Sequence, residues 1–445
     1  MLVGMVALTA CGASGDGGGG GGKGVGPKAT SPGGSQQALK VNVPVPRAFD
    51  NTKGWQEALT WVPERGTGRP YAVAPGAGVV ALLQKRGSSY VLEARDETTG
   101  VLRFGTKPWQ PPKPREIVGR VTEETPGVEA VKQDGREYLA VWARGADSGD
   151  ALNKPQEVVE VDIYPVDASG ATAVPAHVVK VPVEKYSGVA RARDGGAGLL
   201  VSTEDGDESI SVDMRTGHVK HYPITTQLGE PTCGEIACVD SEVKALTSRG
   251  PVLANSVGGF GVPGVWNSSR VVPPGASTHD YAQYKSTAHF AVSGHLIASW
   301  SAADNGDHIW AVHNTESGKV EASTRCSATD LPEFDTPSAL STNGRYLLAG
   351  PLAFDLTSGK GYCFAGSGTS RQIQLLSVDD DGQAYGIAQG DDTAAGAPVA
   401  VSMSTGHPTP LPHGQQPPFL SLRAAGAFSP PADGPGVLFV FLRRR

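Results

Sequence analysis

The chain has 445 residues, 39% of them apolar and only 7% aromatic, with 59 glycines and 34 prolines. That composition can core one large domain or two to three ordinary ones, and it favours many turns over long helices. The formal charge of −7 is spread along the chain without a basic cluster, which speaks against nucleic acid as a partner; Arg443-Arg444-Arg445 reads as a solvated tail.

Residues 1–10 are uncharged and apolar, too few to span a bilayer, which takes roughly 20, but the size of a signal-peptide core. They end in Leu8-Thr9-Ala10-Cys11, which resembles the lipobox of a bacterial lipoprotein: Leu, two small residues, then the cysteine that is acylated. The departure is that no Lys or Arg precedes the apolar run, as expected if translation starts further upstream. The resemblance implies a signal peptide over 1–11, a palmitate-type anchor on Cys11 and a location on the outer face of the cell membrane. Residues 12–40 are Gly, Ser, Pro, Ala and Lys with almost no large apolar side chain, so they cannot offset their own ordering entropy and serve as a flexible stalk. Gly22-Lys23 imitates a phosphate loop, but Gly24 stands where Ser or Thr would hold magnesium.

From residue 41 onward a short phrase recurs: a strand ending in a polar residue, a Thr/Ser-Gly turn, a second strand. It appears at Glu93–Val101, Val212–Val219, Val312–Val320, Phe354–Lys360 and Val401–His407, with a looser copy at Tyr164–Gly170. Gly supplies a positive φ and the Asp or Thr side chain closes the turn, the chemistry of a hairpin. Gly318, Gly359 and Gly406 lie 41 and 47 residues apart, and the 101 residues from Gly217 to Gly318 leave room for a degenerate copy near Val265–Arg270. A second hairpin precedes the phrase at Val131–Ala140, Ala339–Leu348 and Leu376–Tyr385. A period of roughly 40–50 residues with four strands per unit predicts an all-β fold, a single β-propeller. Seven or eight four-stranded blades fit the spacing over 41–445. Leftover strands near Leu39–Val45 and Ala58–Val62 and near Phe419–Leu422 and Val437–Leu442 are expected to share one blade and close the ring.

At these hairpins, above all Asp355-Leu356-Thr357-Ser358-Gly359-Lys360, the chain resembles quinoprotein-like and WD-type propellers, and with the stalk it looks like an actinobacterial secreted lipoprotein. The resemblance covers residues 55–445 and speaks to architecture rather than activity. Quinone-dependent dehydrogenases of this look carry adjacent cysteines; no two cysteines here are neighbours, which speaks against that cofactor.

If Cys11 takes lipid, four cysteines remain, an even number suited to an oxidising compartment and open to three pairings. Cys233 with Cys238, across a short Gly-Glu-Ile-Ala turn, and Cys326 with Cys363, one repeat further on, is the favoured set; no histidine pair near Cys233 offers a metal alternative. Gly259–Gly264 matches GxGxxG formally, but Pro263 removes a donor and Val265-Trp266 starts a strand, so it reads as a loop. Asp379-Asp380-Asp381, Asp205–Glu208 and Asp304–Asp307 sit where turns belong, without a calcium loop's closing Glu. His218 with His221, and His308 with His313, have no zinc spacing; Trp300 and Trp310 read as packing residues. No catalytic residue, metal ligand or cofactor is assigned. The expected function is a monomeric, membrane-tethered binding or scaffold propeller for an envelope protein or polymer. The alternative is a hydrolase or lyase with its site at the central channel, where residues from several blades converge.

Overall fold

The computed structural model describes residues 39–445 except 41, 63–67, 118–119, 123–124, 148–151, 153–155, 184–189, 204–207, 224–240, 256–257, 278–285, 305, 329–330, 332–335, 391–395 and 431–435. Its elements are strands, with one short 3-10 turn at Ser268–Arg270, and no helix among the described residues is long and apolar enough to cross a membrane. Tyr71–Ala74, Val79–Arg86, Ser89–Asp96 and Leu102–Thr106 form an antiparallel meander, each strand bonded to the next in sequence. Meanders of the same kind begin at Gly127, Ala190, Ser241, Ser286, Ser338 and Ile373. The last is composite: Leu420–Ser421, Ala425–Phe428 and Val437–Arg444 take Phe49–Leu59 as their fourth strand, from Phe49 opposite Arg444 to Leu59 opposite Val437.

Hydrophobic packing joins these groups into a ring. Along Val79–Arg86, Val79, Ala81 and Leu83 pack toward the next group, whereas Val80 and Leu82 pack toward the composite one. Strand side chains alternate between faces, so a strand buried on both faces serves two interfaces at once. Eight buried apolar clusters result among the described residues, and each fills one interface between successive groups, the last returning to the first. This is a β-propeller. Blades are numbered below from the one at Tyr71, with the composite blade last. The closing strand, Phe49–Leu59, lies between the two expected N-terminal segments and shares Ala58 and Leu59 with the second; the anticipated joint between chain ends is present.

The recurring phrase is the turn between the third and outer strands. In all five clear copies the glycine amide donates to the carbonyl four residues back: Gly100 to Asp96, Gly217 to Asp213, Gly318 to Asn314, Gly359 to Asp355 and Gly406 to Ser402. Asp96 Oδ1 accepts from the amides of Thr98 and Thr99, and Asp213 Oδ1 from those of Arg215 and Thr216, which explains the acidic residue in the phrase. The glycine has a second reason. The outer strand of the preceding blade lays a ring over the turn: Trp55 covers Gly100 and Trp266 covers Gly318, leaving no room for a Cβ, while each indole Nε1 donates to a turn carbonyl, Glu97 O at 3.1 Å and Thr315 O at 3.0 Å.

Two copies depart from expectation. The degenerate repeat is not at Val265–Arg270: blade 4 turns at Val262–Val265, where the Val265 amide donates to Val262 O, and Trp266–Asn267 is already the outer strand. Pro263-Gly264 supplies that turn, so the Thr/Ser-Gly signature is absent. Gly170 does not close a hairpin either; Gly170–Ala173 leaves blade 2 to pair in parallel with Leu102–Thr106, the outer strand of blade 1. A comparable parallel contact, Ser323 with Lys360, joins the outer strands of blades 5 and 6.

Candidate ligand site in the central channel

Antiparallel alternation sorts the connections onto two ends of the ring. One end holds the tight turns between first and second and between third and outer strands, tied across blades by side chains. Glu137 accepts from the amides of Gly76 and Ala77, and Asp380 from the Asn343 amide and the Thr342 hydroxyl. The other end holds the connections between second and third strands and the longer ones between blades. The first strand of each blade lines the channel, entering from the long-connection end.

These inner strands are unequal. Gly127–Gln133, Ala190–Asp194 and Ser241–Thr247, in the adjoining blades 2 to 4, carry seven charged residues: Glu129, Lys132, Arg191, Arg193, Asp194, Glu242 and Lys244. The other five inner strands, Tyr71–Ala74, Ser286–Val292, Ser338–Leu340, Ile373–Val378 and Leu420–Ser421, carry none. The charges alternate around the arc. Glu129 lies in the field of Arg69 and Arg193; Arg193 lies between Glu129 and Glu242 and donates to Val243 O at 3.4 Å; Glu242 accepts from Lys244 Nζ at 2.7 Å.

Lys244 reaches the arc through a bulge. Val243 and Ala245 pair with consecutive residues of the next strand, so Lys244 is the extra residue and its side chain is re-aimed. Blades 5 and 7 repeat the bulge at the same register position with His289 and Leu376. His289 is spent on packing, its ring 4.5 Å from that of Trp310 and its Nε2 3.0 Å from Ser299 Oγ. One backbone device thus presents a cation, a packed imidazole and an aliphatic side chain in three blades.

Burial perturbs the arc's titrations. It pushes Glu129 up to about 7, with Asp194 adding to the shift and Arg69 and Arg193 opposing it. It raises Asp194 to about 6 against hydrogen bonds from the Gly196 amide and Ser293 hydroxyl. It lowers Arg193 to about 10 and brings Lys244 down, Glu242 opposing both. Among the described residues the arc holds five cations, counting Arg69, and three carboxylates.

The other candidates resolve into structure. Cys326 and Cys363 are bonded, with Cα atoms 5.4 Å apart, stapling the outer strands of blades 5 and 6 beside their parallel contact. Cys11, Cys233 and Cys238 lie outside the described residues, as do most of the stalk and Asp205–Asp207. Gly259–Gly264 is the strand and hairpin of blade 4. Arg444 bridges Asp379 and Asp381 at 2.8 and 2.9 Å, and Arg325 forks onto Asp304 while its Nε reaches Asp307, so these carboxylates already have cations. Among the described residues no group of His, Cys, Asp and Glu is arranged to hold a metal. His218 and His221 are exposed on or beside an outer strand, whereas His313 is buried between Phe260 and Trp300 and held near 4 by that burial. Trp300 and Trp310 are both fully buried, in the clusters on either side of blade 5. A recess of about 520 Å³ between blades 2 and 3, walled by Tyr138, His177 and Met214, opens at the tight-turn end.

None of the arc residues was singled out from the sequence. A signal was present: Ala190-Arg191-Ala192-Arg193-Asp194 and Ser241-Glu242-Val243-Lys244 alternate charges with small apolar residues in strands that the repeat places innermost, where a solvated face is absent.

No protein-family model matches the chain, and no curated protein sequence matches it either. Solved propellers are similar in fold. The β-propeller domain of Cps50 (Swd1) from Myceliophthora thermophila has 9% identity and a TM-score of 0.39, covering 86% of this chain and 99% of its own. The Dos1 propeller has 10% identity and a TM-score of 0.40, covering 88% and 95%. The WD40 domain of Toxoplasma gondii coronin has 10% identity and a TM-score of 0.35, covering 91% and 89%. These likenesses concern the fold; the assignment itself rests on the strand topology and ring packing above.

Proposed function

We propose that this protein is a lipid-anchored, extracytoplasmic binding module: a monomeric eight-bladed propeller, tethered by acylated Cys11 through the 12–40 stalk, that takes part of an envelope polymer or protein into its channel. The observation that carries this reading is the confinement of seven charged side chains to three adjoining inner strands. A purely structural channel would repeat its lining from blade to blade, as the turns do.

Phe49 pairs with Arg444 at the tight-turn end and Leu59 with Val437 at the other, and the segment before Phe49 turns back along this strand, Asn51 donating to Asn42 and the Lys40 amide to Gln56. A stalk of this composition spans roughly 30 Å as a coil, by the square-root scaling of flexible linkers, enough to free the domain from the membrane surface.

Two experiments test the reading. Cys11→Ala is expected to release the protein from the membrane fraction and to abolish palmitate labelling and globomycin sensitivity; a variant still membrane-bound refutes the anchor. Residues 41–445 are expected to co-sediment with isolated cell walls, and Arg191→Glu with Lys244→Glu to lower that retention at least tenfold. Retention equal to the parent's would remove the channel from the function. The enzyme alternative draws on Glu129 and Asp194, two neighbouring carboxyls held near 7 and 6; it predicts cleavage of the retained polymer that Glu129→Gln abolishes.

A further inference from the structure

The recess between blades 2 and 3 lies apart from the channel, and we infer that it is a second ligand site, one that takes a planar aromatic ring carrying a carboxylate.

In three blades the glycine of the turn before the outer strand is sealed by a ring from the preceding blade. Trp55 of blade 8 lies on Gly100, Trp266 of blade 4 on Gly318 and Tyr362 of blade 6 on Gly406, and none leaves room for a Cβ. Blade 2 sends His177 to the same place. Its imidazole keeps the kind of hydrogen bond the indoles make, Nε2 donating to Arg215 O at 2.7 Å. It stands further back, however: a Cβ placed on Gly217 would lie 3.2 Å from the nearest His177 atom. An imidazole lacks the second ring of an indole, and the recess of about 520 Å³ stands beside it. Small-molecule pockets occupy about 300–1,000 Å³. The ring that the chain itself supplies elsewhere is, in blade 2, left for a ligand to supply.

The walls of the recess are set in advance. Gln133 Oε1 accepts from the Met214 amide at 2.8 Å, and its Nε2 donates to Asp213 Oδ2 at 2.8 Å, which ties the turn of blade 3 to the first hairpin of blade 2. Pro165 stands opposite Tyr138 in the strand register, its φ fixed by its own ring. Tyr138 and Met214 are buried, and an aromatic ring and a thioether both favour contact with a second aromatic ring. With so little left to order on binding, the entropic cost is small.

The rim supplies the charge. Arg136, Arg215 and Asp134 line it. Arg215 Nη1 lies 3.3 Å from Asp134 Oδ2, both side chains more than half exposed, so that pair is weak and opens readily. The exposed Arg136 guanidinium has no ion pair or hydrogen bond among the described residues. A planar fork of donors without an acceptor suits a carboxylate, two oxygens at a time. An ammonium ligand would instead meet two guanidiniums and one carboxylate.

Indole-3-acetate, tryptophol, tryptamine and acetate, titrated calorimetrically into the full-length protein, separate ring from charge. Indole-3-acetate is expected to bind, tryptophol to bind at least fivefold more weakly, and tryptamine and acetate not to bind. Arg136→Gln should bring indole-3-acetate down to the affinity of tryptophol. His177→Trp restores the indole of blades 4 and 8 and should abolish binding of both, with the circular dichroism spectrum unchanged. Arg136 is exposed, so Arg136→Gln decides the matter even if His177→Trp does not fold. A folded parent that binds no indole-3-acetate, or binds tryptamine as tightly, overturns the site. So does indole-3-acetate binding that Arg136→Gln leaves at the parent's affinity.

Discussion

The inner strands of blades 2 to 4 and those of blades 5 to 8 occupy equivalent places in one ring and differ in what they carry. The first set holds charges in alternating order across three strands. The second holds Thr287, His289, Gln374, Leu376 and Ser421 on the same backbone, down to the same bulge at His289 and Leu376. Symmetry of the backbone with asymmetry of the lining separates two demands. The scaffold needs pleat, register and turn; a ligand needs particular side chains at a few places. Where the two demands are independent, a repeat protein keeps the first everywhere and varies the second locally.

The comparison breaks most sharply at Arg193. Arg193→Met removes the half-buried cation whose field reaches both Glu129 and Glu242 and its hydrogen bond to Val243 O, and is expected to cost about 2–3 kcal/mol. Gln374→Met on the neutral side is expected to cost under about 1 kcal/mol, as exchanges of similar volume do. Urea unfolding of both measures the contrast, and equal losses would mean the charged arc is ordinary lining.

Glu129 gives the next largest effect, with a definite sign. Its carboxyl titrates near 4.5 when unfolded and about 7 when folded, so over that window the folded state binds the extra proton. Stability from this group is therefore present below about 4.5 and lost as pH rises to about 7. Glu129→Gln should leave stability near pH 4.5 close to the parent's and raise it by about 2 kcal/mol at pH 8. Asp194 and Asp162, both raised to about 6 by burial, keep a smaller slope of the same sign in the variant. A pH profile of the melting temperature decides it; parallel curves for parent and variant would deny the perturbation.

Leu376→Lys sharpens the comparison with the smallest change. It places in blade 7 the residue that blade 4 has at the same bulge, on a half-buried position, and is expected to shift stability by under about 1 kcal/mol. If it costs several kcal/mol instead, the two sides differ in backbone as well as in lining.

How much of this was legible in the sequence follows from where side chains meet. The hairpins were, because Asp213, Thr216 and Gly217 act on one another within four residues, and a local constraint leaves a local pattern. The ring closure was legible as two unpaired ends, though its strand lay at Phe49–Leu59. Blade 4 hid its turn because Pro263-Gly264 meets the same backbone demand with other residues. The arc was hidden for a different reason. Glu129, Arg193 and Glu242 come from strands more than forty residues apart, and only the curvature of the ring makes them neighbours. Trp55 is a similar case, reaching Gly100 across the closure, so its role could not be separated from that of any buried aromatic.

The composite blade has a mechanical side. Phe49–Leu59 runs antiparallel to Val437–Arg444, so sliding one past the other loads the hydrogen bonds from Trp55 to Leu59 together, in shear, instead of opening them one after another. Trp55, stacked on Phe441 at 4.0 Å and pinned to Glu97 O, would have to leave two blades before that strand could slide. A ring closed by both ends of its chain is thereby fastened against sliding along its strongest direction.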